Sequence, residues 1–134
     1  MREIRILLDT QCWLWWQASP AHLNQEALQL IQARGNRLFL SAASSWEIAI
    51  KYSLGKLRLP VPPSQYVPER LARHTIGGLA IEHSHALQVA SLPPHHRDPF
   101  DRLLIAQAMV EGLPIMTADH SFAPYKIEVI RAQA

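Results

Sequence analysis

Cysteine is almost absent from this chain of 134 residues: Cys12 stands alone. No disulfide can close within the chain, and no zinc pattern of clustered Cys and His is present. A lone thiol fits a reducing compartment, and the expected location is the cytoplasm. Cys12 itself reads as a small buried hydrophobe. Long apolar runs are absent too. None approaches the ~18 residues of a membrane-crossing helix, so no membrane partner is expected. The stretch after Arg2, Glu3 and Arg5 is broken by Asp9 and lacks a small-residue cleavage site, so a secretory signal is not expected. Charge is sparse, at 18% of residues with a formal net of +2. That permits a polyanionic partner without demanding one. With 49% hydrophobic content, the composition is that of a folded chain with a real core. The length fits one domain over 1–134. No repeat, low-complexity tract or internal linker interrupts it.

What is present alternates between short apolar runs and helical patterns. Residues 4–8 read as a buried strand ending at Asp9. Apolar spacing over 24–34 predicts an amphipathic helix, stopped by Gly35-Asn36. Residues 38–40 predict a second strand, followed by a helix over 44–54 with Gly55 just past its end. Three prolines make 59–64 a loop. A helix is expected over 65–74, with Pro68 near its start. Gly77-Gly78 introduces a third strand at 79–81, and 83–90 is expected to be helical. Pro93-Pro94 marks a loop. The strongest helical pattern covers 99–111, closed by Gly112 and Pro114. Strands at 115–117 and 127–130 complete the chain. Strands alternating with helices imply an α/β fold: a mainly parallel sheet with helices on both faces, a three-layer α/β/α sandwich. Ligands of such sheets bind beyond the carboxyl ends of the strands.

Five acids are expected at that edge. Asp9 follows the first strand and Asp119 lies two residues past the fourth. Glu47 falls in the first turn of the helix after the second strand. Asp98 and Asp101 flank the start of the helix that leads into the fourth strand. Each has a plain structural explanation. Ser44-Ser45-Trp46-Glu47 has the form of a capping box, and Glu47 is spaced to pair with Lys51. Asp98-Pro99-Phe100-Asp101 reads as an N-cap, a proline at the first helical position and an acid favoured by the helix dipole. Asp119 suits a turn. Asp9 is harder to dismiss, since no cap is called for inside Leu8-Asp9-Thr10-Gln11-Cys12-Trp13. Taken together, convergent carboxylates repel unless a cation neutralises them. Oxygen donors without clustered Cys suit Mg²⁺ or Mn²⁺. Such an ion activates water and polarises a phosphoryl oxygen, which is the chemistry of phosphodiester hydrolysis.

Four ordered blocks resemble the PIN-domain family, and within it the VapC-type toxins of toxin–antitoxin pairs. They are Leu7-Leu8-Asp9-Thr10 with Leu14-Trp15-Trp16; Ser41 to Ser45 leading into Trp46-Glu47-Ile48-Ala49-Ile50-Lys51; His96-Arg97-Asp98-Pro99-Phe100-Asp101-Arg102; and Thr117-Ala118-Asp119. The resemblance implies a PIN-like sandwich and an Mg²⁺- or Mn²⁺-dependent endoribonuclease acting on structured RNA such as tRNA. It implies a catalytic set of Asp9, Glu47, Asp98, Asp101 and Asp119, with Asp9, Asp101 and Asp119 holding the metal. It further implies a cognate antitoxin that inserts a segment into the acidic groove, and a homodimer.

Lys51, Arg97 and Arg102 flank these blocks and are candidate RNA contacts; solvated surface charge explains them equally well. His95 and His96 lack a third ligand and read as structural or RNA-facing. Trp13, Trp15, Trp16 and Trp46 read first as packing residues, with a partner groove or a base-stacking surface as the functional option. A small Mg²⁺-dependent phosphatase needs a second aspartate two residues after its nucleophile. Asp9 is followed by Thr10 and Gln11, so that pattern is missing. A non-catalytic RNA- or protein-binding module is the remaining alternative, and a complete acid set argues against it.

Overall fold

The structure, a computed structural model, describes residues 3–133. Arg2, read above with the N-terminal segment, lies outside these residues. The strands β1 (Arg5–Leu8), β2 (Arg37–Ser41), β3 (Gly77–Leu79), β4 (Ile115–Thr117) and β5 (Val129–Arg131) form one sheet in the order β3-β2-β1-β4-β5. Every neighbouring pair is parallel. Among the described residues six α-helices flank it: α1 (Thr10–Ala18), α2 (Gln25–Gln32), α3 (Ala42–Ser53), α4 (Pro63–His74), α5 (His83–Gln88) and α6 (Pro99–Glu111).

Alternation along the strands builds a core on each face of the sheet. Ile6 and Leu8 of β1 join Trp13, Ile31, Leu40 and Met116 in one cluster, whereas Leu7 joins Leu104, Ile105, Ile115 and Phe122 in the other. Both faces are thus dry, as an all-parallel sheet requires. From β1 the chain runs outward through β2 to β3, then returns to place β4 and β5 on the other side. The switch point therefore lies between β1 and β4. There the outgoing connections diverge and leave a crevice at the carboxyl ends of the strands. Asp9 and Asp119 follow these two strands.

Several elements depart from expectation for identifiable reasons. α1 was not foreseen. Its face toward the core is built from Thr10, Cys12 and Trp13, and three tryptophans blur any apolar period. α3 begins at Ala42, with Ser41 as its cap through a 2.9 Å hydrogen bond from the Ala43 N–H. The expected capping box at Ser44 does not form, and Glu47 lies in the second turn of α3. β3 covers Gly77–Leu79, two residues before the expected strand. At Gly77 a Cβ would stand 2.9 Å from the Phe39 ring, so the glycine itself permits the pairing with β2. Pro68 sits inside α4 without ending it. The helical segment expected over 83–90 stops at Gln88 and continues as a 3-10 turn over Val89–Ser91. β5 begins at Val129, where a strand over 127–130 was expected. α6 and β4 match their predicted bounds, because Asp98-Pro99 starts the helix and Gly112 at φ 66° stops it.

Leu104 of α6 is fully buried whereas Leu54 is 62% exposed. Leu104→Ala should lower stability by about 2–5 kcal/mol and Leu54→Ala by under about 0.5 kcal/mol, read as midpoint shifts in urea denaturation. Equal shifts would contradict this placement of the core.

Candidate active site

Each acid is positioned by a local backbone rule. Asp9 ends β1 and caps α1: its Oδ1 accepts the Cys12 N–H at 2.7 Å. Its Oδ2 accepts the Thr117 hydroxyl of β4. One buried carboxylate is thereby tied to both strands at the switch point. The sequence expectation that no cap is called for at Asp9 is corrected, since α1 starts at once and needs one. Asp98 caps α6, with Oδ1 accepting the Phe100 N–H at 2.8 Å and the Asp101 N–H at 3.1 Å. Asp101 occupies the first turn of that helix. Asp119 follows β4. Its N–H donates to Thr117 Oγ1 at 3.0 Å, and its Oδ1 accepts the Ser121 N–H at 2.8 Å. Glu47 projects from α3 and pairs through Oε2 with Lys51 Nζ at 2.6 Å. Its Oε1 is buried with no hydrogen-bond partner. The capping and pairing roles read from the sequence for Asp98, Asp119 and Glu47 are therefore real. They coexist with convergence, because a carboxylate has two oxygens and a cap uses one.

All five acids line one recess of about 490 Å³, together with Thr10, Trp15, Lys51 and Lys56. A larger hollow of about 770 Å³ lies at the opposite edge, around Arg34, Asn36 and Arg37. It gathers no comparable set of acids, and the strand-end crevice is where the chemistry collects.

The electrostatics of the recess reflect crowding. Burial, then the neighbouring charges of Asp98, Glu47, Asp9 and Asp119, push Asp101 up from the ordinary carboxylate value of 3.8 to about 8. Burial also raises Asp9, against hydrogen bonds from Thr117 and Cys12 that work the other way. Asp119 behaves oppositely. Burial works to raise it, but hydrogen bonds from Ser121 and His96 hold it below its usual value. Lys51 is raised chiefly by its hydrogen bond to Glu47. The donor set is rich in oxygen and excess negative charge, and one buried carboxylate oxygen lacks a partner. These features fit a hard divalent cation such as Mg²⁺ or Mn²⁺.

The flanking residues divide. His96 enters the acid cluster: its Nε2 lies 2.9 Å from Asp119 Oδ2 and 3.1 Å from Asp101 Oδ2. Sequence reasoning set it aside for want of a third ligand, and the fold supplies two acids from separate elements. Arg102, a candidate RNA contact, also straps a loop. Its guanidinium donates to the carbonyls of Val89, Leu92, Pro93 and His96 at 3.0–3.3 Å. Arg97 is exposed, and Lys51 lies at the recess beside Glu47. His95 is exposed and edge-on to Tyr125 at 5.4 Å. Trp13 is fully buried and Trp15 lines the recess. Trp16 meets His74 with the rings tilted by 41° and their centroids 4.5 Å apart, and Trp46 is exposed against Phe100.

A family model described as the PIN domain matches residues 6–127. The chain is 30% identical over 122 residues to ribonuclease VapC22 of Mycobacterium tuberculosis, covering 90% of this chain and 92% of that protein. It is 47% identical over 60 residues to ribonuclease VapC16 of the same organism, a match spanning 45% of this chain and 43% of that protein. The fold is similar to that in a crystal structure of VapBC2 from Rickettsia felis bound to a promoter DNA fragment. There the TM-score is 0.74 at 14% identity, covering 97% of this chain and 100% of that one.

The raised Asp101 carboxyl links stability to pH. Between its unfolded value near 3.8 and about 8, the metal-free folded state keeps a proton that the unfolded state has released. Stability therefore falls as pH rises through that window. Asp101→Asn is neutral throughout and should flatten the profile. In EDTA, wild type should lose at least about 1 kcal/mol relative to Asp101→Asn between roughly pH 5 and 8.5. Parallel profiles in urea denaturation would show that neither burial nor its acidic neighbours raise Asp101.

Proposed function

The chain belongs to the PIN-domain family, in its VapC-type branch, and on that premise we propose that it is a metal-dependent endoribonuclease, the toxin of a toxin–antitoxin pair. The observation that carries the reading is the gathering of Asp9, Glu47, Asp98, Asp101 and Asp119 around one recess, with Glu47 Oε1 buried and unpartnered. Asp9, Asp101 and Asp119 would hold Mg²⁺ or Mn²⁺. An ion bound there would activate water, polarise a phosphoryl oxygen and neutralise the departing one.

The chain's own groups supply the rest. Asp9 is locked by the Cys12 N–H and the Thr117 hydroxyl, so its direction is set before any ligand arrives. Such preorganisation avoids reorientation during the reaction. Glu47 keeps Oε1 free to accept a hydrogen bond from water. Asp98 uses Oδ1 for its cap and retains Oδ2. Lys51 and Lys56 place positive charge on the same recess, where a polyanion's phosphates can be met. Exposed Arg97 extends that charge toward the start of α6. The substrate class is structured RNA such as tRNA. The expected protein partners are an antitoxin segment entering the groove and a second copy of the chain. Leu14, Trp15 and Leu57 on the wall of the recess offer an apolar contact to such a segment.

Incubation of the purified chain with a mixed tRNA pool tests the reading. Cleavage should appear with Mg²⁺ or Mn²⁺ and vanish in EDTA. Asp101→Asn should lower the rate by roughly two orders of magnitude, while Glu26→Gln on the exposed face of α2 should match wild type. Full activity in EDTA would overturn the metal mechanism.

A further inference from the structure

His96 stands among the acids without being one of them, and its two ring nitrogens have different surroundings. Nδ1 accepts the Asp98 N–H at 3.2 Å. A nitrogen that accepts a hydrogen bond carries no proton, so the proton of the neutral ring lies on Nε2. Nε2 faces Asp119 Oδ2 at 2.9 Å and Asp101 Oδ2 at 3.1 Å. By proximity alone, His96, Asp101 and Asp119 form a group able to grip a metal, with ligand atoms within 4.8 Å of one another. The hydrogen bonding says otherwise, because the bare nitrogen faces the backbone and the N–H faces the carboxylates.

The backbone that carries the ring is also held from outside the recess. The His96 backbone N–H donates to the Tyr125 hydroxyl at 2.8 Å, and that hydroxyl donates to the Pro93 carbonyl at 2.8 Å. Arg102 donates to the carbonyls of both Pro93 and His96, at 3.0 and 3.2 Å. Phe122 meets the ring edge-on at 5.5 Å. Tyr125 and Arg102 thus fix the backbone that carries the imidazole, and Phe122 packs on the ring itself.

We propose that His96 is a positioning residue: its Nε2–H bridges Asp101 and Asp119 and presets their oxygens for the cation, without ligating it. Asp101 belongs to α6 and Asp119 follows β4, so no shared backbone sets their separation. A single N–H between them ties the two carboxyl groups to one another. This is the part that partners behind the ligands play in metal sites, where they orient the ligating oxygens. The inference rests on the metal-dependent reading above.

Two measurements on the intact protein test it. In metal-free protein, long-range ¹H–¹⁵N correlation should find the His96 proton on Nε2; a proton on Nδ1 overturns the proposal. Mn²⁺ titration followed by electron paramagnetic resonance then compares wild type, His96→Ala and His96→Gln. Gln places an amide N–H near the Nε2 position. Ala should bind Mn²⁺ about 10–100-fold more weakly than wild type, and Gln should recover most of that loss. Should Ala fail to fold, His96→Asn replaces it, because its donor stops short of the carboxylates. Equal affinity in wild type, Gln and the shorter variant overturns the positioning role and leaves the function standing. A wild type that binds no Mn²⁺ overturns both.

Discussion

Repulsion among five carboxylates at the end of one sheet is the constraint to which the rest of this structure answers. Like charges in a partly desolvated recess cannot all ionise without compensation. Compensation in the metal-free chain comes in pieces. The N-termini of α1 and α6 take one oxygen each from Asp9 and Asp98. Thr117 takes the second oxygen of Asp9, Lys51 takes one oxygen of Glu47, and His96 sits between Asp101 and Asp119. Asp101, for which these partners are least sufficient, is held protonated up to about pH 8. Helix caps therefore do more than end helices here. They orient carboxylates and spread negative charge onto backbone dipoles.

Topology explains why these residues meet. β1 and β4 are adjacent and parallel, with Leu8 beside Met116. Asp9 and Asp119 emerge together although they are separated by most of the chain. α3 and α6 bring Glu47, Asp98 and Asp101 to the same crevice. Thr117 links the two sides, accepting from the Asp119 N–H and donating to Asp9. A second layer built from Arg102, Tyr125 and Phe122 secures the 93–98 loop behind His96.

The sheet and the acids were legible in the sequence because both follow from local signals. Alternating apolar runs marked the strands, and Asp98-Pro99 with Gly112 bracketed α6 to the residue. Asp9, Glu47, Asp98, Asp101 and Asp119 could be placed at one edge from strand ends and helix starts. What escaped depends on long-range contact. α1 carries little apolar periodicity because its tryptophans are shared between the core, the recess and His74. β3 was displaced because two glycines gave no strand signal, although the Phe39 ring requires Gly77 to be bare. The bonds of Arg102 to carbonyls of the preceding loop could not be read from its neighbours in sequence. The position of His96 depended on Asp119, which lies 23 residues away.

Anomalous diffraction at the manganese edge, from crystals grown with Mn²⁺, tests the central claim that these acids form one cation site. A peak should lie within coordination distance of Asp9, Asp101 and Asp119 oxygens and beyond that distance from His96 Nε2. A well-ordered recess with no peak, or a peak confined to another part of the molecule, would contradict it.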